Sequence, residues 1–300
     1  MINKSINKGF ERLYNGLIVL AILFLWNACQ KVDLNEINNL NGNRITLIGH
    51  GGIGFESPQN ALPHDSFSSL TKAVEAFGTE GVEVDIQLSA DGTLFMYHDD
   101  VLETGTDCFG CVFYKESEEL LNCRFRSSFR SNLFLNEKLD KLESVLQVFA
   151  LRPIKPKVIF DIKFALEACG DFDYDTYEER FVAEIARLIT KYDALDWCYV
   201  EAGKFDFLMA LQEKLPAIKL SFITGSYEEE EIIEVANNGI YMISSTNNAI
   251  SKEFVQFIHE QGLRVAIYGV KIRSAAVEAI NKSPDYIYTD NIVLLQEILR

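Results

Sequence analysis

The sequence predicts an α/β fold of the (β/α)8 TIM-barrel class, with a small insertion after the hairpin that follows strand 2. From about residue 158 onward, short apolar runs alternate with amphipathic segments of helical period, which indicates βαβ units and a parallel sheet. The predicted parallel strands number eight, and they start near Ile45, Val82, Val158, Trp197, Lys219, Ile240, Arg264 and Tyr286. A chain of 300 residues is long enough for one such barrel, which takes about 250.

The first half of the chain supplies a strand, a helix and a hairpin. The run Ile45–Gly49 is apolar and ends in glycine, as a buried parallel strand does. In Ser66–Phe77 apolar residues recur at helical spacing, Ser66 can cap the start, and Gly78 follows the end. One complete strand and helix are therefore predicted before the hairpin begins.

The hairpin is predicted from two runs of alternating residues around Asp91-Gly92, because Asp-Gly is the strongest short-range hairpin signal. If these two residues form the turn, Asp85 lies opposite His98, and Glu83 shares the face of Asp85. The returning arm, 93–98, must be antiparallel to the first arm. It is therefore left out of the barrel count.

Residues from about 100 to 137 have no regular period and are predicted to form the insertion, over the mouth of the barrel. Its many aromatic residues either pack a local core or contact a substrate. The segment also contains three cysteines. A disulfide from Cys123 to either Cys108 or Cys111 is expected in an oxidising compartment, whereas in a reducing one the Cys108-x-x-Cys111 spacing would suggest half of a zinc site.

The first 28 residues are predicted to be a secretory signal peptide, because basic residues precede the apolar run Leu17–Trp26 and the small residue Ala28 follows it. That run is shorter than the roughly 20 apolar residues that a membrane-spanning helix needs. Cys29 resembles the lipidation site of bacterial lipoproteins; an uncleaved anchor or a plain cleaved signal are the alternatives. Residues 29–43, rich in asparagine, are predicted to be a tether, and residues 44–300 the barrel domain.

These features predict an exported bacterial lipoprotein that is attached to a membrane through its lipid anchor, in the periplasm or at the cell surface. The formal net charge of −16 argues against nucleic acid as a partner, because phosphate backbones are bound by clustered basic side chains. An anionic small molecule would have to be attracted locally, by a metal ion or a few placed cations.

Three carboxylates at the predicted strand ends form a candidate metal site. Glu83 and Asp85 share one face of the second strand, and Asp161 follows from the next barrel strand. Catalytic groups of TIM barrels lie at the C-terminal ends of the strands. Because all the donor atoms are oxygens, the set suits Mg²⁺ or Ca²⁺.

Two histidines and a lysine belong to the same region. His50 and His98 are candidate acid and base groups, since imidazole titrates near neutral pH. Lys163 lies two residues after Asp161, on the same strand face, where its ammonium group can hold a phosphate oxygen. These residues favour chemistry on a phosphate ester.

Seven short motifs follow one another at these strand ends and in the loops beside them. They are His50-Gly51-Gly52, Pro58-Gln59-Asn60, Glu83-Val84-Asp85, Asp91-Gly92, His98-Asp99, Asp161-Ile162-Lys163 and Tyr288-Thr289-Asp290. In this order and spacing they resemble the glycerophosphodiester phosphodiesterase family. The resemblance covers about residues 45 to 299.

The resemblance implies the same barrel fold and a metal-dependent hydrolysis of glycerophosphodiesters. The free glycerol hydroxyl beside the phosphate would attack it, with one of His50 and His98 as base and the other as acid. Hydrolysis of the resulting cyclic phosphate would leave glycerol 3-phosphate and an alcohol. Tyr268 stands where the family often has tryptophan, so it either stacks on the glycerol moiety or packs in the core.

Three positions depart from the family pattern. Gly51 replaces an arginine that contacts phosphate, Gln59 replaces a glutamate, and Asp161 replaces a longer glutamate. The amide of Gln59 is still expected to bind the phosphate or a ligand. These changes bear on metal affinity and on the choice of substrate more than on the type of reaction.

Two other functions stay open at this point. A phospholipase on the same barrel would act on intact phospholipids, with the aromatic insertion at the membrane, and a non-catalytic lipoprotein would only bind its ligand. Of the remaining histidines, His64 is expected to be solvent-exposed in a loop. His259 is expected on an outer helix, with no acidic partner in a motif.

Overall fold

The protein folds as a closed barrel of eight parallel strands, which confirms the predicted fold class. A computed structural model describes residues 32–55, 60, 62–126, 136–164, 169–170 and 173–300. The barrel strands are β1 Thr46–Gly49, β2 Gly81–Leu88, β4 Lys157–Ile162, β5 Cys198–Ala202, β6 Lys219–Ile223, β7 Met242–Thr246, β8 Arg264–Val270 and β9 Tyr286–Thr289. They pair in the order β1-β9-β8-β7-β6-β5-β4-β2, and the pairing of β1 with β2 closes the barrel.

Most helices surround the barrel and cover the outward faces of its strands, whereas two short helices between residues 102 and 120 belong to the insertion. They are α1 Phe67–Glu75, α2 Leu102–Gly105, α3 Ser117–Leu120, α4 Leu142–Ala150, α5 Tyr174–Lys191, α6 Phe205–Lys214, α7 Glu229–Asn237, α8 Lys252–Glu260, α9 Arg273–Asn281 and α10 Ile292–Ile298. Two short 3₁₀ helices span Leu34–Glu36 and Val112–Tyr114. Ser66 caps α1 as predicted, since its side chain accepts the Ser69 N–H.

Strand β2 shows how the alternation of side chains positions polar groups. Val82, Val84 and Ile86 are fully buried in the apolar layer between strands and helices. Glu83 and Asp85 alternate with them and therefore point into the barrel, where they are buried as well. The sequence of one strand thus supplies both the core and part of a polar centre.

The hairpin forms as predicted, but its register is shifted by one residue. Strand β3, Leu94–Met96, pairs antiparallel with β2, and Gln87 lies opposite Phe95, so Asp85 aligns with Tyr97 rather than with His98. The cause is the turn: the Ser89 N–H donates to the Thr93 carbonyl across a three-residue loop, in which Gly92 has φ +83°. His98 therefore lies after the strand, outside the ladder.

The insertion is a compact unit with a core of its own. Phe95, Tyr97, Leu102, Val112 and Leu120 are buried together, and Phe125 packs against them. This packing favours a structural use for part of the aromatic set. Other aromatic side chains, Phe109 and Tyr114, are exposed, and Phe129 and Phe134 lie outside the described residues.

Two disulfides tie the insertion together. Cys108 bonds to Cys123, one of the two pairings left open, and Cys111 bonds to Cys169, which lies after β4. The second bond attaches the insertion to the barrel. Cys198 is a buried free thiol in β5.

Removing the Cys111–Cys169 bond is expected to cost more stability than removing Cys108–Cys123. The bonded residues are 58 apart in the first case and 15 in the second, and closing a longer loop removes more entropy from the unfolded chain. We expect the paired serine variants to lose about 4 and about 3 kcal/mol of unfolding free energy. Urea unfolding of both variants measures the order, and a larger loss for the 108/123 pair would contradict it.

Residues in the segment predicted to be a tether contact the barrel. The Asn39 side-chain amide donates to the Pro284 carbonyl, and that of Asn41 donates to the Asp285 carbonyl, so part of the predicted tether packs against the barrel. The predicted signal peptide, 1–28, and Cys29 lie outside the described residues. No helix within the described ranges is long and apolar enough to span a membrane.

Candidate active site

The carboxyl ends of β1, β2, β4 and β9 bring together most of the predicted site residues. His50 follows β1, Glu83 and Asp85 point inward from β2, and Asp161 points inward from β4. Parallel strands expose their carboxyl ends at one mouth of the barrel, so residues far apart in sequence become neighbours. Gln59 lies outside the described residues.

Glu83, Asp85 and Asp161 converge as the predicted metal site. Each offers one oxygen, and these three oxygens lie within 4.8 Å of one another. Glu83 Oε2 accepts the Gly51 N–H at 2.9 Å. Glu83 Oε1 and Asp85 Oδ2 are buried and have no hydrogen-bond partner among the described residues, which is the condition a bound cation would relieve.

The negative charges of these carboxylates repel one another. Burial raises the pKa of Glu83 well above its usual range, and the neighbouring Asp85 raises it further. Burial also raises the pKa of Asp161, to about 7, although Lys163 opposes the shift. For Asp85 burial acts in the same direction, but Lys163 and His98 outweigh it, so its pKa is lowered. Ionisation of all three carboxylates at once is therefore unfavourable without a further cation.

Lys163 bridges two of the carboxylates. Its Nζ lies 3.0 Å from Asp85 Oδ1 and 2.7 Å from Asp161 Oδ2. Burial alone would lower its pKa, but these two carboxylates raise it above that of a free lysine. Lys163 is thus a permanent cation at the mouth, close enough to the cluster to contact a phosphate placed there.

His50 is held by a carboxylate on each side of its ring. Its Nδ1 lies 2.9 Å from Asp290 Oδ1, and its Nε2 lies 3.8 Å from Glu83 Oε2. Asp290, at the end of β9, also accepts the Phe55 N–H through Oδ1. The Asp290 contact fixes the ring, so the Nε2 edge faces the acidic cluster.

His98 forms a second histidine–carboxylate pair. Its Nδ1 lies 3.0 Å from Asp99 Oδ1, and this hydrogen bond raises its pKa although burial opposes the shift. Phe55 contacts both histidines. Its ring centroid lies 4.8 Å from that of His50 and 5.3 Å from that of His98. Both imidazoles therefore line the same mouth.

The prediction that His64 is solvent-exposed is wrong. Its side chain is only 21% exposed, stacks on Phe55 at 4.2 Å and meets the ring of His98 edge-on at 5.7 Å. Burial lowers its pKa to about 4, so it is neutral at physiological pH. The prediction failed because a histidine after a proline in a loop carries no periodic signal of burial.

His259 has an acidic partner that belongs to none of the sequence motifs. It lies on the outer helix α8 as expected, but its Nε2 is 2.9 Å from Oδ2 of the buried Asp285. That carboxylate oxygen also accepts the Val265 N–H, so the pair links α8 to the amino-terminal end of the barrel. This histidine is structural and far from the mouth.

Two buried carboxylates near the site were not predicted. Asp65 accepts the Asp85 N–H through Oδ1 and so positions a member of the cluster. Glu201, at the end of β5, is bonded by Ser221, Ser244 and Tyr288 inside the barrel. Glu201 was detectable as a lone acid in an apolar strand, whereas Asp65 sits in a loop without such a signal.

Gly51, which stands where the family has arginine, adopts a left-handed conformation with φ +55°. A Cβ atom there would approach the Cβ of His64 to 2.8 Å. Any side chain at position 51 would collide with His64, so the position requires glycine. Lys271, whose Nζ lies 3.3 Å from Asp290 Oδ2, is an exposed cation at the same mouth.

Tyr268 lies at the mouth beside His50. The ring centroids are 6.4 Å apart, and the side chain is partly buried. Burial raises the pKa of its phenol, which therefore stays protonated and can donate a hydrogen bond. Both uses predicted for Tyr268, contact with substrate and packing, are compatible with this position.

Fold and site together define a TIM-barrel protein with an acidic cluster and two histidine–carboxylate pairs at the carboxyl ends of its strands. Residues 58–294 match the model of the glycerophosphoryl diester phosphodiesterase family, and the chain belongs to this family. Among curated proteins, glycerophosphodiester phosphodiesterase 1 of Bos taurus is 30% identical over 105 residues, which is 34% of this chain and 30% of the bovine protein.

Several solved structures share the fold. A glycerophosphoryl diester phosphodiesterase described as putative, from Silicibacter pomeroyi, has a TM-score of 0.74 and 17% identity, covering 85% of this chain and 92% of that one. An Oleispira antarctica phosphodiesterase in complex with the product sn-glycerol-3-phosphate has a TM-score of 0.71 and 18% identity, covering 85% and 96%. At these identities the likeness concerns the fold.

Proposed function

We propose that the protein hydrolyses glycerophosphodiesters to glycerol 3-phosphate and an alcohol. Family membership supports the reaction class, and the product named for the Oleispira antarctica enzyme supports the substrate. The observation that carries the proposal is the meeting of three carboxylates within 4.8 Å, beside two imidazoles that each have a carboxylate partner. Such a site can neutralise a phosphodiester and move protons on both sides of it.

The proposed enzyme requires a divalent cation, Ca²⁺ or Mg²⁺, held by Glu83, Asp85 and Asp161. The fit rests on the donor set, which is entirely oxygen, and on the buried oxygens of Glu83 and Asp85 that lack a partner. When bound, the ion supplies Lewis-acid stabilisation of phosphoryl charge. Lys163 adds a fixed positive charge next to the same oxygens.

His50 and His98 carry the proton transfers. One imidazole removes the proton of the free glycerol hydroxyl, whose oxygen then bonds to phosphorus. The bond from phosphorus to the head-group oxygen breaks, and the other imidazole, in its protonated form, gives that oxygen a proton. Water then opens the cyclic phosphate, with the two histidines in reversed roles. Tyr268 and Gln59 are proposed to contact the substrate.

The Asp99→Asn variant is expected to reveal which role His98 has. Loss of the Asp99 carboxylate lowers the pKa of His98, because that hydrogen bond holds it above its usual value. If His98 is the base, the acidic limb of the kcat/KM profile moves to lower pH; if it is the acid, the alkaline limb does. Asp100→Asn removes the same charge one residue away and is expected to leave both limbs in place. An unmoved profile in Asp99→Asn would contradict the assignment.

A turnover assay tests the proposal. Purified full chain is incubated with a panel of glycerophosphodiesters, with added Ca²⁺ or Mg²⁺ and with a chelator, and released glycerol 3-phosphate is measured. We expect release that depends on the cation. Cleavage of intact phospholipids but not of deacylated diesters would favour the phospholipase function, and binding without turnover would favour a non-catalytic lipoprotein.

We also propose that the chain is exported and attached to a membrane through lipid on Cys29. The basic, apolar and small-residue order of the leader supports this. Two disulfides in the folded domain are consistent with an oxidising compartment. Metabolic labelling with a radioactive fatty acid, lost in Cys29→Ser, is the expected result.

A further inference from the structure

The connection between α4 and β4 presents two large apolar side chains to solvent. Leu151 is 87% exposed and Ile154 is 86% exposed, more than any other large hydrophobic residue in the described part of the chain. Pro153 and Pro156 punctuate this loop. Because α4 precedes β4, the loop lies at the amino-terminal end of the barrel, opposite the candidate active site.

Cations accompany these apolar side chains. Arg152 and Lys155 alternate with them in the loop, and Arg152 pairs with Glu75 at 3.2 Å. Lys155 forms no ion pair with any described residue. A loop with protruding apolar groups and adjacent positive charges is the pattern of a membrane-surface contact.

The same end of the barrel carries three further cations. Lys157, Lys219 and Arg264 begin β4, β6 and β8, and none of them has an ion-pair partner within 4 Å in the described ranges. Lys219 lies over the ring of Tyr199 at 5.0 Å, and Arg264 lies over that of Tyr241 at 4.5 Å. Carboxylates lie at this end too, but Glu75 and Glu80 are paired with Arg152 and Arg44, and Asp196 lies near Lys219. Lys155, Lys157 and Arg264 keep their charge without a carboxylate within 4 Å among the described residues.

The chain enters the barrel at this end. Asn38 donates its backbone N–H to Ser283, and Asn39 and Asn41 bond to the loop before β9. Cys29 is nine residues before Asn38, so at full extension it lies within about 30 Å of this point. An acyl group on Cys29 would therefore hold the amino-terminal end of the barrel near the membrane.

We propose that this end is a membrane-docking surface. The basal surface, defined by Leu151, Arg152, Ile154, Lys155, Lys157, Lys219 and Arg264, lies on a bilayer that contains anionic lipid. Leu151 and Ile154 enter the boundary between head groups and acyl chains, and the cations contact lipid phosphates.

This orientation bears on the substrate, an argument that rests on the proposed function. Strands of four to eight residues separate the two ends of the barrel by about 20 Å, so the candidate active site faces away from the membrane. An intact phospholipid of the same bilayer cannot reach it without leaving the bilayer. A water-soluble, deacylated diester can, and it is the substrate class that this orientation favours.

The opposite end is a weaker membrane contact. Phe109 and Ile272 are exposed there, at 67% and 63%, but they belong to separate elements, the insertion and the loop after β8. The Glu103 carboxylate, which accepts the Gly110 N–H, lies next to Phe109 in the fold. Arg126 lies over the Phe109 ring at 6.0 Å and Lys271 adjoins Ile272, so charge does not exclude this end; it is the weaker contact because its apolar groups are separate and the chain enters the barrel at the other end.

Tryptophan probes in the acylated protein test the orientation. The Ile154→Trp and Ile272→Trp proteins, processed to begin at Cys29, are reconstituted in vesicles of phosphatidylglycerol and phosphatidylcholine, and quenching by spin-labelled lipid is measured against the processed parent, which has Trp197. We expect added quenching for Ile154→Trp and none for Ile272→Trp. The reverse pattern, or no added quenching in either protein, would overturn the proposal.

A charge variant tests the role of the cations. Adding Lys155→Gln to Ile154→Trp is expected to lower the ratio of docked to undocked protein about fivefold, because one basic group near an anionic surface contributes about that factor. Equal docking on vesicles of phosphatidylcholine alone would contradict the electrostatic part. A blue shift of the Ile154→Trp emission that rises with protein concentration, without vesicles, would instead assign this surface to contacts between copies.

Hydrolysis of a soluble glycerophosphodiester by the vesicle-bound protein distinguishes the docking proposal from the proposed function. Hydrolysis without quenching at position 154 would remove the docking surface and leave the proposed function in place. Quenching without hydrolysis would support the docking surface and contradict the proposed function. Hydrolysis together with quenching supports both.

Discussion

His50→Ala and His98→Ala are each expected to lower kcat by about 100- to 10,000-fold, the usual effect of removing a general acid or base. Each imidazole is fixed by a carboxylate, His50 by Asp290 at 2.9 Å and His98 by Asp99 at 3.0 Å, so neither role passes easily to another group. Steady-state kinetics on a glycerophosphodiester with saturating cation measures the loss.

His259 provides the matched control. It is also paired with a carboxylate at 2.9 Å, but at the other end of the barrel. His259→Ala is expected to lower the Tm, because it leaves the buried Asp285 with one partner fewer, and to leave kcat of the folded protein unchanged. Full activity in either His50→Ala or His98→Ala would disprove the proposed acid–base pair.

Glu83→Gln is expected to weaken the binding of Ca²⁺ or Mg²⁺ by at least about 100-fold, since it removes one of three anionic ligands. Activity at low cation concentration falls with it. Calorimetric titration measures the affinity, and Glu80→Gln, which alters a carboxylate paired with Arg44 outside the site, is the control. Unchanged affinity in Glu83→Gln would rule out this ligand set.

The same variant is expected to make the metal-free protein more stable at neutral pH. Burial raises the pKa of Glu83 in the folded state above its unfolded value. The folded protein then binds more protons than the unfolded chain between the two pKa values, so stability falls as the pH rises through that window. Glutamine has no proton to lose and avoids this cost. Thermal unfolding with and without cation separates the stability gain from the loss of binding.

The barrel was predictable because its strands and helices have distinct periods. All eight parallel strands occur where apolar runs were counted, and the antiparallel arm was set aside because a tight turn cannot join parallel neighbours. The acidic cluster was predictable for the same reason: alternation along β2 puts Glu83 and Asp85 on one face. Strands β2 and β4 are parallel and Asp85 pairs with Asp161, so Asp161 lies on the same face.

Features that depend on loops were not predictable. The hairpin register depends on whether two or three residues form the turn, and Asp-Gly fits both. The burial of His64 and Asp65 depends on how the loop before α1 folds over the mouth. No period in the sequence encodes such a path, whereas an inward acid such as Glu201 can be found by strand alternation.

The Cβ of His64 blocks the position that any side chain on residue 51 would enter. The missing family arginine is thus no isolated loss, because its Cβ would lie 2.8 Å from the Cβ of His64. Restoring arginine at position 51 would require the backbone around residue 64 to move, because every residue except glycine carries that Cβ, and it would place a non-glycine residue at φ +55°. A charged side chain at position 51 would therefore cost stability as well as space, because the tight loop at the mouth is shaped around a residue without a side chain.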